Sequence, residues 1–542
     1  MRTIIIGGVA GGMSAATRLR RLDENAEIIV FEKGNEVSFA NCGLPYFIGD
    51  VIKDRDDLLL QTPTSLNDRY NLDVRVNHEV IKITPNDSSV LVKNTKTNIE
   101  ESFEYDNLIL SMGASPFIPP IDGIENAFPL RDMYDVDRLV VATEQAVINN
   151  ESAVVIGAGF IGVEVAENLK KRGLKVTIVE LSPQVLPPLD IEMASYVAED
   201  IIKNGVELRL NTSVEKITNK TVTLSTGEII EAGMVVASIG VRPETKLASE
   251  AGLEIGERGG VVIDEFLRTS RANIYAIGDM VEKHDIQTGN SVLIPLANLA
   301  NKQGRRAADI IVGRKPSSSA QALGTAIVKV FDLAIATTGA SERLLKSQDR
   351  NFKAIHTHPL DHAGYYPGAE TMHLKTLFDP ETGELLGAQG IGSSSVAKKI
   401  DVIATAIFGN IKADELIDLE LAYAPPYGSA KDPINMIGYI SENILQGENT
   451  ISPDQIPSEC TLVDVRTKEE YYEGTIPGAI NIPLDELRSR INEFPKKNVV
   501  VFCQMGQRGH NAISILKQLK IESSNLDGGY ETWMSFEKAK NI

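Results

Sequence analysis

Cysteine is scarce in this sequence, with three in 542 residues at positions 42, 460 and 503. Three cysteines so far apart cannot build a disulfide framework, which excludes the small disulfide-stapled secreted class. A reducing cytoplasm is the expected compartment, and there a few cysteines are more often reactive than structural. Positive charge is also short: 54 Lys and Arg face 74 Asp and Glu, a net charge of −20. That balance argues against a nucleic-acid or anionic-membrane partner. No apolar run approaches the roughly 20 residues that a membrane helix needs. The opening "MRTIIIGGVAGGMSAA" superficially resembles a signal peptide. Its glycines read better as a nucleotide loop, and the basic "RLRR" that follows fits export poorly. No metal centre is expected.

What is present begins with an internal repeat. "TIIIGGVAGG" at 3–12 and "AVVIGAGFIG" at 153–162 are apolar strands that run into glycine turns and then helical patterns. Each is followed by a second strand ending in an acid, Glu32 in "AEIIVFE" and Glu180 in "KVTIVE". Strand, glycine turn, helix, strand and acid, twice over, is the dinucleotide-binding fingerprint in its required context. The glycines let the backbone approach a pyrophosphate, the helix N-terminus stabilises its charge, and the acid accepts from a ribose hydroxyl. Gly157, Gly159 and Gly162 complete the second copy. The first keeps Gly7 and Gly12 but has Val9 at the middle position, which leaves slightly less room beside the pyrophosphate. A carboxylate at Glu180 favours a 2′-hydroxyl over a 2′-phosphate, so NADH is expected over NADPH unless nearby cations admit the phosphate.

Downstream, "ANIYAIGDM" reads as a short buried strand ending at Gly278-Asp279, and "GRKPSSSAQAL" at 313–323 has the composition of a boundary. Strand-like "GTAIVKVFDLAIATTG" follows, then a hairpin in "HLKTLFDPETGELLGAQGIG" and a helix over about 398–420. "NILQGENTISPDQIP" at 443–457 is polar and turn-rich, a linker. The remaining residues alternate short strands and helices, a small α/β domain. The fold class expected is α/β: two Rossmann-like dinucleotide-binding domains, an α+β domain and a C-terminal α/β domain.

With these motifs in place, residues 1–445 resemble the pyridine nucleotide–disulfide oxidoreductase family. "SFANCGLPYFIGD", "HAGYYPG" and "YAPPYGSAKDPINMIGY" resemble its coenzyme A–disulfide reductases. Residues 458–542 resemble a rhodanese domain through "TLVDVRTKEEYYEGTIPGAINIP", "VVVFCQMGQRG" and "LDGGYETW". Fusions of this kind include NADH-dependent persulfide reductases. The resemblance implies an FAD domain over 1–118 and 240–320 and an NAD(P) domain over 119–239. It implies a dimerisation domain over 321–445, a linker over 446–457 and a rhodanese domain over 458–542. Asp279 is implied on the flavin ribitol and Glu32 on the adenosine ribose. Gly7 and Gly12 are implied under the FAD pyrophosphate, and Gly8, Val9, Ala10, Gly11, Lys33, Asn41, Gly113 and Gly240 at the cofactor sites.

Cys42 lacks the usual second cysteine, since Phe47 occupies that position. Asn41 is a good helix N-cap and Pro45 suits the first turn, so Cys42 is expected to open a helix that lowers its thiol pKa. A lone cysteine cannot form an internal disulfide, but it can form a mixed disulfide with a substrate thiol, here coenzyme A. CoA is a polyanion, and Arg18, Arg20 and Arg21 offer a basic cluster, Arg18 and Arg21 at i,i+3. By resemblance Ser38 and Asn41 also approach the CoA thiol arm. Tyr365 and Tyr423 match tyrosines that the family brings from the partner subunit, with Tyr366 and Tyr427 as close alternatives, and so a homodimer with shared active sites is implied. In the tail, Cys503 to Arg508 form a six-residue loop suited to a thiolate or persulfide, with Arg508 closing it. Asp464 and Arg466 read as structural, Thr475 stands where relatives have His, and Cys460 reads as inert. The expected substrates are CoA disulfide, CoA persulfide and polysulfide. Two alternatives remain, an NADH oxidase or peroxidase using a Cys-sulfenate and a non-catalytic redox sensor or sulfur carrier. The loop "GGVAGG" lacks the histidine of the first.

Overall fold

The structure, a computed structural model, describes residues 1–315 and 321–541, so 316–320 of the expected 313–323 boundary lie outside the described residues. The chain divides into two compact units, Met1–Val179 with Thr212–Gly324, and Glu180–Asn211 with Thr325–Ile542.

In the first unit, β-branched runs form short strands buried on both faces, as a parallel sheet requires. Their order is Ile274–Ala276, Asn107–Leu110, Arg2–Ile6, Glu27–Glu32 and Asp73–Val76, all parallel. The chain's first strand is therefore central, and its carboxyl end lies where the strand order reverses, the usual place for a ligand crevice. The helix Ala10–Leu22 leaves from that end and packs on the helix Ala297–Ile311. Only glycine fits at their crossing, because a Cβ on Gly304 would lie 2.2 Å from the Gly11 carbonyl oxygen. The second copy repeats the pattern, with Ser152–Ile156 between Lys175–Val179 and Met234–Ala237.

The second unit holds an antiparallel sheet in the order Ala326–Val330, Leu333–Gly339, Leu385–Gly392, His373–Phe378 and Lys353–Thr357. The helix expected over 398–420 runs instead over Ser395–Phe408, ends at Gly409 and the left-handed Asn410, and is followed by a 3₁₀ turn at Asp414–Asp418. The tail is a five-stranded parallel sheet in the order Thr450–Ile451, Ser523–Leu526, Val499–Phe502, Thr461–Asp464 and Ile480–Asn481. Its edge strand lies inside the segment read as a linker, because the short "TI" pair adds to the strand at 523–526. Among the described residues no helix is long and apolar enough to cross a membrane.

The segment 180–211, expected within a nucleotide-binding domain, clusters with the second unit, and a buried ionic network explains why. Lys375 is fully buried; its Nζ lies 2.9 Å from Asp190 and 2.7 Å from Glu342 and also bonds Glu192. Asp190, Glu192 and Glu342 converge as a metal site would, but the ammonium of Lys375 already lies among them. Burial opposes the charging of Lys375, yet the three carboxylates raise its pKa. Glu192 also bonds His356 Nε2 at 3.2 Å, and Asp527 approaches His356 Nδ1 at 2.5 Å. Burial opposes the imidazolium, but Asp527 and Glu192 outweigh it and lift its pKa to about 9.

Removing one partner of such a network leaves uncompensated buried charge. Lys375→Ala is expected to lower stability by about 3–5 kcal/mol in a denaturant titration, and a loss under about 1 kcal/mol contradicts the network. His356 gives a pH signature. Its folded pKa exceeds the ordinary 6.5, so its stabilisation is complete below about pH 6.5 and is lost as pH rises through about 9. Melting temperatures recorded between pH 6 and 10 should fall across that window, and His356→Gln should remove that part of the slope.

Candidate functional site

The two glycine turns share one geometry. Gly7 and Gly157 have φ of 101° and 99°, where a Cβ would lie 2.2 Å from the Ser111 oxygen and 2.4 Å from the Ser238 oxygen. Gly12 and Gly162 press on the same turns, since a Cβ would come within 1.9 Å of the Gly7 oxygen and 2.0 Å of the Gly157 oxygen. Gly159 instead faces open space at the start of the helix Phe160–Lys171, and Val9 precedes the helix Ala10–Leu22 at the matching place. Gly113 and Gly240 also have positive φ and open space. Glu32 accepts from the amides of Gly8 at 2.9 Å and Gly34 at 2.8 Å, so its carboxylate braces the first turn, with Lys33 exposed beside it. Glu180 directly follows the Lys175–Val179 strand and accepts from the Ser182 amide at 2.7 Å.

Asp279 carries the clearest sign of a ligand. The Gly278-Asp279 turn is clamped from both sides: Gln303 accepts from the Gly278 amide at 2.8 Å, and Lys283 Nζ donates to the Gly278 carbonyl at 2.7 Å. Asp279 Oδ1 is nevertheless buried with no hydrogen-bond partner, which is costly unless a ligand hydroxyl supplies one. Burial raises the Asp279 pKa and lowers that of Lys283 to about 8. This orphan acceptor, on the carboxyl side of the sheet that carries the first glycine cradle, fits the ribitol of FAD. At the second cradle the buried Ser238 Oγ is likewise without a partner.

Cys42 is exposed in a 3₁₀ turn, Asn41–Gly43, and the helix after it, Leu44–Ile48, has only five residues. The expectation of a helix capped by Asn41 and opened by Cys42 is corrected, since the helix begins only at Leu44. Ala40 holds the cap position of the turn, Gly43 that of the helix, and neither makes a side-chain cap. Pro45 does lie in the first turn. The expected lowering of the thiol pKa is reversed: partial burial raises it, and the carboxylates of Glu164 and Asp279 raise it further. Those two charges place the sulfur within electrostatic reach of Asp279 and of Glu164 on the helix of the second glycine turn. Glu164 accepts from the Tyr46 hydroxyl at 3.0 Å, and burial lifts its pKa to about 7. Ser38, upstream, has the strained φ of 51° and donates its amide to the Gly8 carbonyl at 2.8 Å, which ties the cysteine segment to the glycine turn.

The three arginines expected as a CoA cluster do not act together. Arg20 is buried and donates to the carbonyls of Tyr70, Asp23, Glu24 and Asn71, which removes it from any ligand role. Arg18 pairs with Asp309 at 2.6 Å, and only Arg21 is exposed. In the second unit Tyr365 and Tyr423 lie with hydroxyls 3.0 Å apart, both exposed, and that bond raises the Tyr365 pKa. Tyr366 and Tyr427 are exposed beside them.

The tail builds a second sulfur site. Cys503 ends the buried Val499–Phe502 strand and is itself 2% exposed. Gly506, at φ 91°, turns the loop into the helix Gln507–Gln518. The Asp527-Gly528-Gly529 turn backs it: the Tyr530 amide donates to the Cys503 carbonyl at 2.8 Å, and a Cβ on Gly529 would lie 2.3 Å from that oxygen. Arg508 faces Cys503, and its two Nη atoms each lie 2.6 Å from an oxygen of Glu470. Arg466 pairs with Asp464 at 2.8 Å and donates to Gln504 at 3.0 Å, while the Thr475 hydroxyl donates to Asp464 at 2.8 Å. Thr475 therefore supports the loop's scaffold. Cys460 is half-buried and packs with the hydrophobic residues around Ile476, and burial raises its pKa.

Sequence reasoning missed Glu164, Tyr46 and Glu470. Signals existed for two: Glu164 follows Gly162 by two residues on the helix that starts the fingerprint, and Thr467-x-x-Glu470 is a capping-box pattern, which the structure forms. Tyr46 had no such signal.

Comparison with known proteins agrees with this architecture. The pyridine nucleotide-disulphide oxidoreductase family model matches residues 1–304, its dimerisation-domain model 325–432, and the rhodanese-like domain model 450–536. The coenzyme A disulfide reductase of Staphylococcus aureus strain JH9 is 36% identical over 440 residues, 81% of this chain and 99% of that protein. The crystal structure of reduced Bacillus anthracis CoADR-RHD is 45% identical and covers 98% of both chains with a TM-score of 0.97. The NAD-dependent persulfide reductase from A. fulgidus is 36% identical, covers 98% of this chain and 100% of its own, and has a TM-score of 0.92. A water-forming NADH oxidase from Lactobacillus brevis, 23% identical at a TM-score of 0.78 over 82% of this chain and 99% of its own, shares the fold. Two glycine cradles, an orphan acceptor at Asp279, an antiparallel third sheet and a Cys503 loop follow one another in the order of those matches, and the chain belongs to the pyridine nucleotide-disulphide oxidoreductase family, in the branch that ends in a rhodanese-like domain.

Proposed function

We propose that the chain is an FAD-dependent, NAD(P)H-driven reductase of coenzyme A disulfide and of CoA persulfide or polysulfide, whose tail carries sulfane sulfur. The observation that carries this reading is Cys42, an exposed thiol within electrostatic reach of Asp279 and Glu164, with Phe47 where a second cysteine would complete an internal disulfide.

The chemistry follows from that one thiol. Bound FAD, held by Asp279, Glu32 and the Gly7–Gly12 cradle, would supply the two-electron link between nicotinamide and sulfur. The Cys42 thiolate attacks one sulfur of CoA disulfide, releases one CoA thiolate and keeps the other CoA as a mixed disulfide. Two electrons arriving from the cofactor site break that bond and free the second CoA and the Cys42 thiolate. With CoA persulfide, attack on the CoA-bound sulfur expels hydrosulfide and gives the same mixed disulfide, so one cycle serves both substrates. A Tyr365–Tyr423 pair, contributed by the other protomer of a homodimer, would donate to the departing thiolate, since one of its two hydroxyl protons is not used in the bond between them. Glu180 supports NADH over NADPH, because its carboxylate disfavours a 2′-phosphate. The Gly7–Gly12 loop holds no histidine, which leaves the oxidase alternative without the group that handles peroxide in this reading.

Cys42→Ser should abolish NADH-driven reduction of CoA disulfide while FAD absorbance still copurifies with the protein. Full activity in that variant contradicts the mechanism, and steady turnover by the native protein excludes a sensor, which would stop after stoichiometric reduction. Cys503→Ser should leave CoA disulfide reduction in place and impair the release of sulfide from polysulfide. An equal loss of both activities refutes the separate role of the tail.

A further inference from the structure

We propose that Glu470 is a specificity-determining residue of the tail: by occupying the fork of Arg508, it makes the Cys503 loop select persulfide donors of low charge over the dianion thiosulfate. The inference rests on the sulfur-carrier reading of Cys503 and adds to it the class of donor.

A guanidinium recognises an oxyanion through two parallel N–H groups. In Arg508 both Nη atoms already reach the carboxylate of Glu470, at 2.6 Å each, with the side chains about one-third exposed. The carboxylate cannot easily swing aside. It occupies the third position of a capping box, where it accepts from the Thr467 amide at 3.0 Å while Thr467 Oγ1 accepts from the Glu470 amide at 3.3 Å. Bonding to Arg508, against a smaller opposing effect of burial, holds its pKa down at about 2, so it is ionised at any working pH.

The other charged groups at the loop do not restore a positive mouth. Arg466 is paired with Asp464, and its remaining Nη1 contact is to Gln504. Gln504 in turn donates to Glu531 at 3.2 Å, which brings a third carboxylate to the rim. His510, on the following helix, lies 2.7 Å from Glu448. Two guanidiniums, Arg466 and Arg508, are therefore each paired with a carboxylate near the buried Cys503, and Met505 within the loop is exposed. Receiving the transferred sulfur atom itself is the part that backbone amides of such a loop can play.

Sulfur transfer balances with either donor. The Cys503 thiolate attacks the outer sulfur of R–S–SH, the S–S bond breaks, RS⁻ leaves and Cys503–S–SH forms. With thiosulfate the same attack expels sulfite dianion and leaves a Cys503 persulfide anion. No electrons are exchanged with a third party in either case. The two donors differ in charge, since thiosulfate brings two permanent negative charges past Glu470 and a small persulfide brings fewer at its reacting end.

The test uses the full-length protein with cyanide as acceptor and thiocyanate as readout, comparing thiosulfate with 2-hydroxyethyl persulfide, whose only charge is that of its persulfide group. Glu470→Gln keeps a residue that can complete the capping box and removes only the charge. It should raise the thiosulfate-to-persulfide ratio of kcat/KM by about tenfold or more, chiefly through the KM for thiosulfate. A ratio that is unchanged or falls overturns the proposal. The native protein supplies a second measurement that needs no variant: the same ratio should rise with ionic strength, as screening weakens the repulsion, and a flat ratio likewise overturns it. The sulfur-carrier reading fails separately if the native protein transfers sulfur from neither donor, or if Cys503→Ser transfers it as well as the native protein does.

Discussion

A Cβ placed on Gly12 would lie 1.9 Å from the carbonyl oxygen of Gly7, and one on Gly162 would lie 2.0 Å from that of Gly157. These two contacts set how closely each helix follows its strand, and most of the first unit depends on them. Because the helix starts directly above the strand end, its free N–H groups face the crevice where the strand order reverses. The same placement brings Glu32 back onto the Gly8 amide and the Ser38 amide onto the Gly8 carbonyl, so the cysteine segment is hung from the turn that cradles the cofactor. Glu164 then comes from the second copy of the same device, on a helix started by Gly159 and Gly162. The neighbourhood of Cys42 is thus the product of two glycine turns, one holding its backbone and the other supplying a carboxylate.

This explains which features were legible in the sequence. The glycine turns, their strands and their acids are local patterns, each set by residues within about thirty positions, and so was the Cys503 loop. The hairpin over 373–392 was likewise legible, because its two strands flank their own turn. Charge partners were not. "TRLRR" looked like a polyanion site, but Arg20 finds two of its four carbonyls 50 and 51 residues away and Arg18 its carboxylate 291 away. Lys375 and Glu192 are 183 apart, and nothing near either one announces the other. Long-range ion pairs are chosen by the fold, and a helix that looks basic in one dimension can be neutralised in three.

The buried network of Lys375, Glu192, His356 and Asp527 shows the same point from the energetic side. Charges this deeply buried rarely add net stability over well-packed apolar groups. They do restrict which arrangements of the second unit are acceptable, because any other arrangement would leave one of them unpaired. His356 ends that network on Asp527, the first residue of the Asp-Gly-Gly turn that backs the Cys503 loop. The position of the tail's sulfur is therefore tied, through one imidazole, to the antiparallel sheet that precedes it in the chain.

The two sulfur sites share an electrostatic character that neither motif suggests alone. At Cys42 the nearby charges are the carboxylates of Glu164 and Asp279, which oppose a thiolate. At Cys503 the facing guanidinium of Arg508 is already matched by Glu470. At Cys42 this arrangement withholds the positive charge that would keep a thiolate permanently formed. A thiolate stabilised outright is also a weaker nucleophile, since nucleophilicity falls with pKa. A thiol kept less acidic attacks more readily once ionised, and an S–S bond is a good electrophile that needs little help from charge. The carboxylates beside Cys42 thus leave its reactivity to the sulfur–sulfur bond of the substrate rather than to a permanently formed thiolate.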